Sequence, residues 1–152
     1  MTALVFEKKT RFPVSAEVLF RWHEQLPDAF NKLLPPGEPV RILHHDGHLR
    51  DGARAVLRVG PWPFRLHWEL RHTGYEAGRQ FCDEQVKGPF RSWRHVHRMI
   101  PDGVNASILH DRVEFELPCG FIGRLIGRAV VLPKLAELFA FRHTATLRDL
   151  AP

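Results

Sequence analysis

Two histidines and two aspartates, all able to transfer protons, recur at alternate positions of neighbouring candidate strands. His95 and His97 are two residues apart, and Asp83 and Asp111 stand in the segments before and after them. Successive side chains of a β-strand point to opposite faces, so we expect all four side chains on the inner face of one sheet. Because a buried polar group without a hydrogen bond is costly, the pattern predicts a cluster of paired acids and bases.

This predicted cluster has three alternative roles. It can be a network that satisfies its own hydrogen bonds and binds nothing. It can orient the polar end of an otherwise apolar ligand. It can also be catalytic, with His95 or His97 as the base and Asp111 or Asp83 fixing its tautomer, because imidazole titrates near neutral pH. Cyclisation or dehydration of an oxygenated substrate needs such a pair beside an apolar pocket.

The spacing His95-x-His97 is also compatible with a metal ion. Two imidazoles on alternate strand positions share a face, and Asp83 or Asp111 would complete a set of two histidines and one carboxylate. This spacing is common in proteins without metals, however, and no cysteine or third histidine is well placed. We therefore predict no metal and no cofactor.

The alternation of apolar and charged residues predicts which face of each strand is inward. Arginines and glutamates occupy the other parity of most strands, which must face water. The predicted apolar wall of a cavity consists of Leu57, Leu66, Trp68, Trp93, Val113 and Phe115, with Leu138 and Phe139 from a helix. Gln85 shares the inward parity of Asp83. Trp62, between two prolines, is a candidate gate for such a cavity or packs over the sheet edge.

Alternation with a period of two predicts seven strands. The expected ranges are 4–12, 40–45, 53–59, 64–72, 80–87, 92–100 and 107–117. Turn-forming pairs such as Asp46-Gly47 and Gly88-Pro89 separate them, so consecutive strands should be antiparallel neighbours. Two short helices are predicted after the first strand, one capped by Ser15 and one from Asp28 to Leu34.

A helical period returns after Pro118 and Gly120 and continues to the C-terminus. One broad face of this helix is formed by Leu135, Leu138, Phe139, Arg142, Ala145 and Thr146. Pro133 should start or kink the helix, and Arg142 is placed to reach an inward carboxylate such as Asp83. The predicted fold is therefore α+β: a curved, seven-stranded antiparallel sheet around a long C-terminal helix, with a gap between them for a small ligand.

Several short motifs resemble one known superfamily. They are Phe81-Cys82-Asp83-Glu84-Gln85, Gly88-Pro89-Phe90, Trp93-Arg94-His95-Val96-His97, Leu138-Phe139-Ala140-Phe141-Arg142-His143 and Leu34-Pro35-Pro36. With the element order, they resemble the SRPBCC superfamily, the START, Bet v 1 and polyketide-cyclase group of helix-grip folds, and within it bacterial cyclase/dehydrase-like members. The resemblance implies one domain over residues 1–152.

The resemblance also implies a class of function. Its members include lipid carriers, hormone receptors and cyclases, so we expect a small hydrophobic ligand: a lipid, a sterol or an aromatic polyketide-like molecule. The alternative is a cyclase or dehydratase that uses a His–Asp acid–base pair in the same cavity.

Composition excludes several other classes. The chain has 152 residues and a formal net charge of +5, but its basic residues are scattered and interleaved with acids, which argues against a nucleic-acid surface. Cys82 and Cys119 are too few for a disulfide framework. Without a signal peptide or a transmembrane segment in the sequence, we expect a cytoplasmic protein, monomeric or homodimeric.

Overall fold

The element order is one strand, two short helices, six strands and a long helical C-terminus, as the sequence predicts. The computed structural model describes residues 2–25, 28–61 and 63–151, so Trp62 lies outside the described residues. The elements are β1 Leu4–Phe12, α1 Ala16–His23, α2 Asp28–Lys32, β2 Val40–His45, β3 Arg54–Val59, β4 Leu66–Glu76, β5 Gln80–Lys87, β6 Ser92–Pro101, β7 Ser107–Glu116, α3 Gly120–Ile126, a π-helical segment Gly127–Val131 and α4 Leu132–Leu150.

All seven strands form one antiparallel sheet in the order β1-β7-β6-β5-β4-β3-β2. Strands β2 to β7 pair with their neighbours in sequence, and β1 pairs with β7. The predicted seven-stranded sheet with a long C-terminal helix is confirmed. The largest difference from the predicted ranges is in β4, which continues past His72 to Glu76. Gly74, at φ +59°, lies where the β4–β5 register shifts, so this glycine forms a bulge within the strand rather than ending it.

Local sequence signals explain the start of α1 and the start of α4. The Ser15 hydroxyl accepts a hydrogen bond from Val18 N, as expected for an N-cap. Pro133 stands at the start of α4, directly after the π-helical segment Gly127–Val131. The regular i→i−4 hydrogen bonds, which a proline cannot donate, are already interrupted there. Among the described residues, no helix is long and apolar enough to cross a membrane.

Two apolar clusters fill the space between the sheet and the helices. The α1 cluster lies against α1 and consists of Phe12, Ala16, Leu19, Phe20, Leu49, Phe81, Met99 and Leu109. The α4 cluster lies against α4 and consists of Leu4, Ala55, Leu57, Leu70, Trp93, Val113, Phe115, Leu135 and Phe139. Polar side chains of β5, β6 and β7 lie between these two clusters.

The buried face of α4 differs slightly from the predicted one. Leu135, Phe139, His143 and Thr146 are the buried residues of the helix. Leu138, Arg142 and Ala145 are only half-buried, because they flank this row rather than belong to it. The helical period of 3.6 residues allows either row, and the sheet selects the one centred on His143.

Candidate functional site

A cavity of about 350 Å³ separates the sheet from α4. The aromatic and aliphatic side chains on its wall include Leu57, Trp68, Leu70, Trp93, Leu135, Leu138 and Phe139. Asp83, His95 and Arg142 supply polar groups to the same wall. Glu38 and Lys134, which pair with each other at 3.1 Å, line it as well. The cavity therefore combines a mainly apolar body with a charged end at Asp83, His95 and Arg142 and with the Glu38–Lys134 ion pair.

A smaller cavity of about 70 Å³ adjoins the first. Both cavities are lined by Phe30, Leu57, Leu70, Asp83 and Arg142. Four histidines line only the smaller one: His23, His45, His72 and His97. Asp83 and Arg142 thus stand where the apolar cavity meets a small, histidine-lined chamber.

Asp111, on β7, is the centre of a buried hydrogen-bond network. Its Oδ1 accepts a hydrogen bond from His95 Nε2 at 2.8 Å and lies 2.9 Å from His97 Nδ1. Its Oδ2 accepts from His143 Nε2 at 2.6 Å, and His143 Nδ1 lies 2.6 Å from the Thr10 hydroxyl. These contacts link α4 to β1, β6 and β7 through one carboxylate.

Asp83, on β5, is the second carboxylate of the network. Its Oδ2 accepts a hydrogen bond from His97 Nε2 at 2.9 Å, and His72 Nδ1 lies 2.6 Å from its Oδ1. His72 Nε2 in turn lies 3.2 Å from His45 Nε2. His97 therefore bridges Asp83 and Asp111, and each carboxylate has a histidine at both of its oxygens.

The pKa values of the two bridged histidines shift in opposite directions. Burial lowers the pKa of His97, but Asp111 and Asp83 outweigh it and raise that pKa to about 9. Burial also lowers the pKa of His95, and the positive charge of His97 adds to this, giving about 4. Burial opposes ionisation of Asp83 and Asp111, yet their histidine partners hold both pKa values well below the usual range. At neutral pH the network therefore contains two carboxylates, a charged His97 and a neutral His95.

These protonation states fix the tautomer of His95. Its Nε2 must carry the proton, because that atom donates to Asp111. Nδ1 of the neutral ring is then an unprotonated acceptor, and it lies 3.8 Å from Asp83 Oδ2, beyond hydrogen-bond distance. His95 thus brings a weakly basic nitrogen to the wall of the large cavity.

The chain was compared with known proteins by sequence and by structure. No protein-family model matches the sequence, and no curated protein matches it. Solved structures do match over nearly the whole chain. The norcoclaurine synthase from Thalictrum flavum, in complex with dopamine and hydroxybenzaldehyde, is 13% identical with a TM-score of 0.69, covering 99% of this chain and 90% of that one.

Two bacterial structures are similar to the same degree. A START superfamily protein from Mycobacterium smegmatis is 16% identical, with a TM-score of 0.68 and coverage of 96% of both chains. The Zhui aromatase/cyclase from a Streptomyces species is also 16% identical, with a TM-score of 0.65 and coverage of 98% of this chain and 97% of that one. The chain has the helix-grip fold. Similarity at these identities defines the fold and leaves the function open.

Several predicted ligand-binding residues line the helix-grip cavity. The residues on its wall are Leu57, Trp68, Asp83, Trp93, His95, Leu138, Phe139 and Arg142, and His97 lines the smaller cavity. They come from β3, β4, β5, β6 and α4, so the fold brings them together from distant parts of the sequence.

Two predicted wall residues lie elsewhere. Leu66 is 53% exposed, because it is the first residue of β4, at the end of the β3–β4 hairpin. Gln85 does not face either cavity. Its side-chain amide donates to Phe90 O at 2.7 Å and accepts from Phe90 N at 3.2 Å, so it holds the turn between β5 and β6.

Three predicted site residues on β7 are buried behind the cavity. Val113 and Phe115 are fully buried in the α4 cluster, and Asp111 is buried in the network, but none of the three lines the large cavity. The helical C-terminus rests directly on the sheet here: a Cβ at Gly127 would lie 3.3 Å from the Phe115 ring and closer still to Leu4. The large cavity does not extend between the helix and Phe115. Asp111 can act on a ligand only through His95 or His97.

The sequence interpretation missed four histidines of this site. His72 lies two residues after Leu70 on the inward face of β4, so strand alternation could have identified it. His143 lies one helical turn after Phe139, so helical periodicity could have identified it. His45, the last residue of β2, is half-buried on the wall of the smaller cavity. His23, buried at the end of α1, had no signal beyond its helical position.

Two further predictions concern charge partners. Arg142 was expected to reach a carboxylate such as Asp83, but it makes no ion pair with any described acid, because histidines already occupy both oxygens of Asp83. Ligand atoms of Asp83, His95 and His97 lie within 4.8 Å of one another. This set has the chemistry of a metal site, but His97 would first have to lose the proton that it shares with Asp83.

Proposed function

We propose that the protein binds a small hydrophobic molecule, such as a lipid, a sterol or an aromatic polyketide-like compound, between the sheet and α4. The observation that carries this proposal is the apolar cavity of about 350 Å³ with polar groups at one end. Its volume falls within the roughly 300–1,000 Å³ of typical ligand pockets. The apolar body of the ligand would contact Leu57, Trp68 and Trp93, and its polar end would lie near Asp83 and His95.

The solved structures support the same ligand class. One was solved with dopamine and hydroxybenzaldehyde, both small aromatic molecules, and another is an aromatase/cyclase. A fold that encloses such molecules elsewhere has space for one here. We further propose a cytoplasmic monomer or homodimer that needs no nucleic-acid partner.

The proposal is tested by filling the cavity. Leu138→Phe enlarges a half-buried side chain on the cavity wall and so reduces the space left for the ligand. It should therefore weaken ligand binding at least about tenfold. The matched control is Leu125→Phe, the same change at a side chain that is 51% exposed on α3. Binding of a panel of lipids, sterols and aromatic polyketides is followed by tryptophan emission and by melting temperature. A wild-type protein that responds to none of them contradicts the proposal.

The alternative function is a cyclase or dehydratase. It is favoured by one observation: His95 lines the cavity, donates through Nε2 to Asp111, and keeps Nδ1 free of hydrogen bonds. A histidine oriented in this way by a carboxylate can accept a proton from a substrate. Its pKa of about 4 makes it a weak base, which favours the binding role over catalysis.

Substitution of His95 separates binding from catalysis. On an enzyme, His95→Gln should abolish water loss or ring closure of a bound polyketide-like ketone while leaving its affinity within about threefold. His44→Gln, an exposed histidine outside the cavity, is the control. Mass spectrometry of the recovered ligand gives the readout. Recovery of unchanged ligand from the wild-type protein rejects the enzymatic alternative and leaves the binding proposal intact.

A further inference from the structure

Arg142 brings an unpaired positive charge to the ligand cavity. Its Nε is buried and has no hydrogen-bond partner among the described residues. The guanidinium carbon lies over two aromatic rings, 5.1 Å from the Phe139 centroid and 5.9 Å from that of Phe30. A guanidinium has five N–H donors and no acceptor, and burying it without an anionic partner is costly. Because Arg142 lines both cavities, this N–H donor without an acceptor lies where a ligand would bind.

A second donor on the same wall is also without an acceptor. Trp68 Nε1 is buried and unpartnered among the described residues, and Trp68 lines the large cavity. Two buried donors in one cavity call for a ligand that supplies oxygen acceptors.

The acids near Arg142 already have other partners: histidines contact Asp83 and Asp111, and Lys134 pairs with Glu38 at 3.1 Å. His72 and His97 contact the two oxygens of Asp83, and histidines likewise occupy both oxygens of Asp111. In total charge, His97 and Arg142 together offset the two carboxylates, although Arg142 makes no ion pair with either of them. His72 adds positive charge when protonated, since its contact with Asp83 raises its pKa although burial opposes this. The charged end of the cavity therefore carries no excess negative charge, so a ligand carboxylate can approach Arg142 there.

We infer that the ligand is an apolar molecule ending in a carboxylate, which Arg142 binds through two parallel N–H···O bonds. This inference rests on the proposed ligand-binding function. The planar fork of arginine matches the two oxygens of a carboxylate, and such charged pairs are stronger than neutral hydrogen bonds. An ester or alcohol would leave the guanidinium without an anion. A phosphate would bring nearly two negative charges beside Asp83, more than one arginine offsets.

The test compares each carboxylate with its own methyl ester. Decanoate and biphenyl carboxylate, one aliphatic and one aromatic, are titrated by calorimetry beside their methyl esters. The wild-type protein should bind at least one carboxylate about 10- to 100-fold more tightly than its ester, as expected for a hydrogen-bonded charged pair. Arg142→Gln should abolish this preference and leave ester affinity unchanged. Arg148→Gln, an exposed arginine on the same helix, should keep the wild-type preference.

Each outcome separates this inference from the broader proposal. Equal binding of acid and ester by the wild-type protein, or a preference that survives Arg142→Gln, overturns the carboxylate inference and leaves ligand binding standing. Binding of neither acid nor ester counts against both. If Arg142→Gln does not fold, Arg142→Lys is used instead, because it keeps the positive charge but loses the planar fork of N–H donors. A reduced preference for the carboxylate over its ester supports the inference, and an undiminished preference contradicts it.

Discussion

At the α1 end of the sheet, large side chains pack against one another and leave only the cavity of about 70 Å³ beside Leu49 and Phe81, whereas at the α4 end they surround a much larger cavity. Phe12, Phe20 and Leu109 of the α1 cluster are at most 2% exposed, and none of them lines the large cavity. In the α4 cluster, Leu57 and Trp93 are nearly as buried but face about 350 Å³ of space. The contrast shows that burial alone does not distinguish a packed core from the wall of a ligand site.

The buried network lies between these two regions and differs from both. Its carboxylates are compensated by histidines rather than by solvent, so it fixes β5, β6, β7 and α4 relative to one another. His95 and Asp83 extend from this rigid network to the cavity wall. The polar end of the proposed ligand site is thus preorganised, because its side chains are held before a ligand arrives.

The largest expected effect is on the packed end. Phe20→Ala should lower the free energy of unfolding by about 3–5 kcal/mol, because it leaves a void among Phe81, Tyr75 and their neighbours. Leu138→Ala should cost only about 1 kcal/mol, since it enlarges a cavity that already exists. Urea unfolding of both variants measures the two values. Equal losses would mean that the cavity region is packed as tightly as the α1 cluster.

An effect on the order of 3 kcal/mol is expected from pH. Because the pKa of His97 is raised to about 9 in the folded state, its contribution is fully present below the unfolded value near 6.5 and is lost as pH rises through 9. The pKa values of His95 and His23 are lowered to about 4, mainly by burial, so stability also falls as pH drops from 6.5 to 4. Unfolding free energies should therefore be highest near pH 6.5.

The assignment to His97 is checked by substitution. His97→Gln should flatten the alkaline limb of the stability profile, while the exposed His44→Gln should leave it unchanged. An unaltered alkaline limb in His97→Gln would show that this histidine is not the charged bridge between Asp83 and Asp111.

The strands and their inward faces could be predicted because charged residues mark the outer face. Alternation alone predicts His95 and His97 beside Asp83 and Asp111, and the structure brings all four together. Alternation predicts which face of the sheet a side chain is on, but not where along the sheet it lies or what covers it. It therefore assigned Leu66, Val113 and Phe115 to one wall, although the first is exposed and the other two lie beneath a helix that touches the sheet.

The unpredicted part of the site depends on long-range packing. His143 joins the network because α4 lies against β7, and His45 joins it because β2 and β4 both flank β3. The role of Gln85 could not be predicted either, since its contact with Phe90 depends on the shape of one turn. The sequence thus indicates the acids and bases of the polar end, but not the pairing that leaves Arg142 without an acidic partner in the described part of the chain.

The central claim is that the space beneath α4 holds a molecule. Native mass spectrometry of freshly purified protein, before and after mild unfolding, tests it most directly. We predict a species heavier than the chain by the mass of one small organic molecule, which is absent after unfolding and absent from Leu138→Phe. A wild-type protein that carries only its own mass, and takes up no hydrophobic molecule when offered one, would contradict the account.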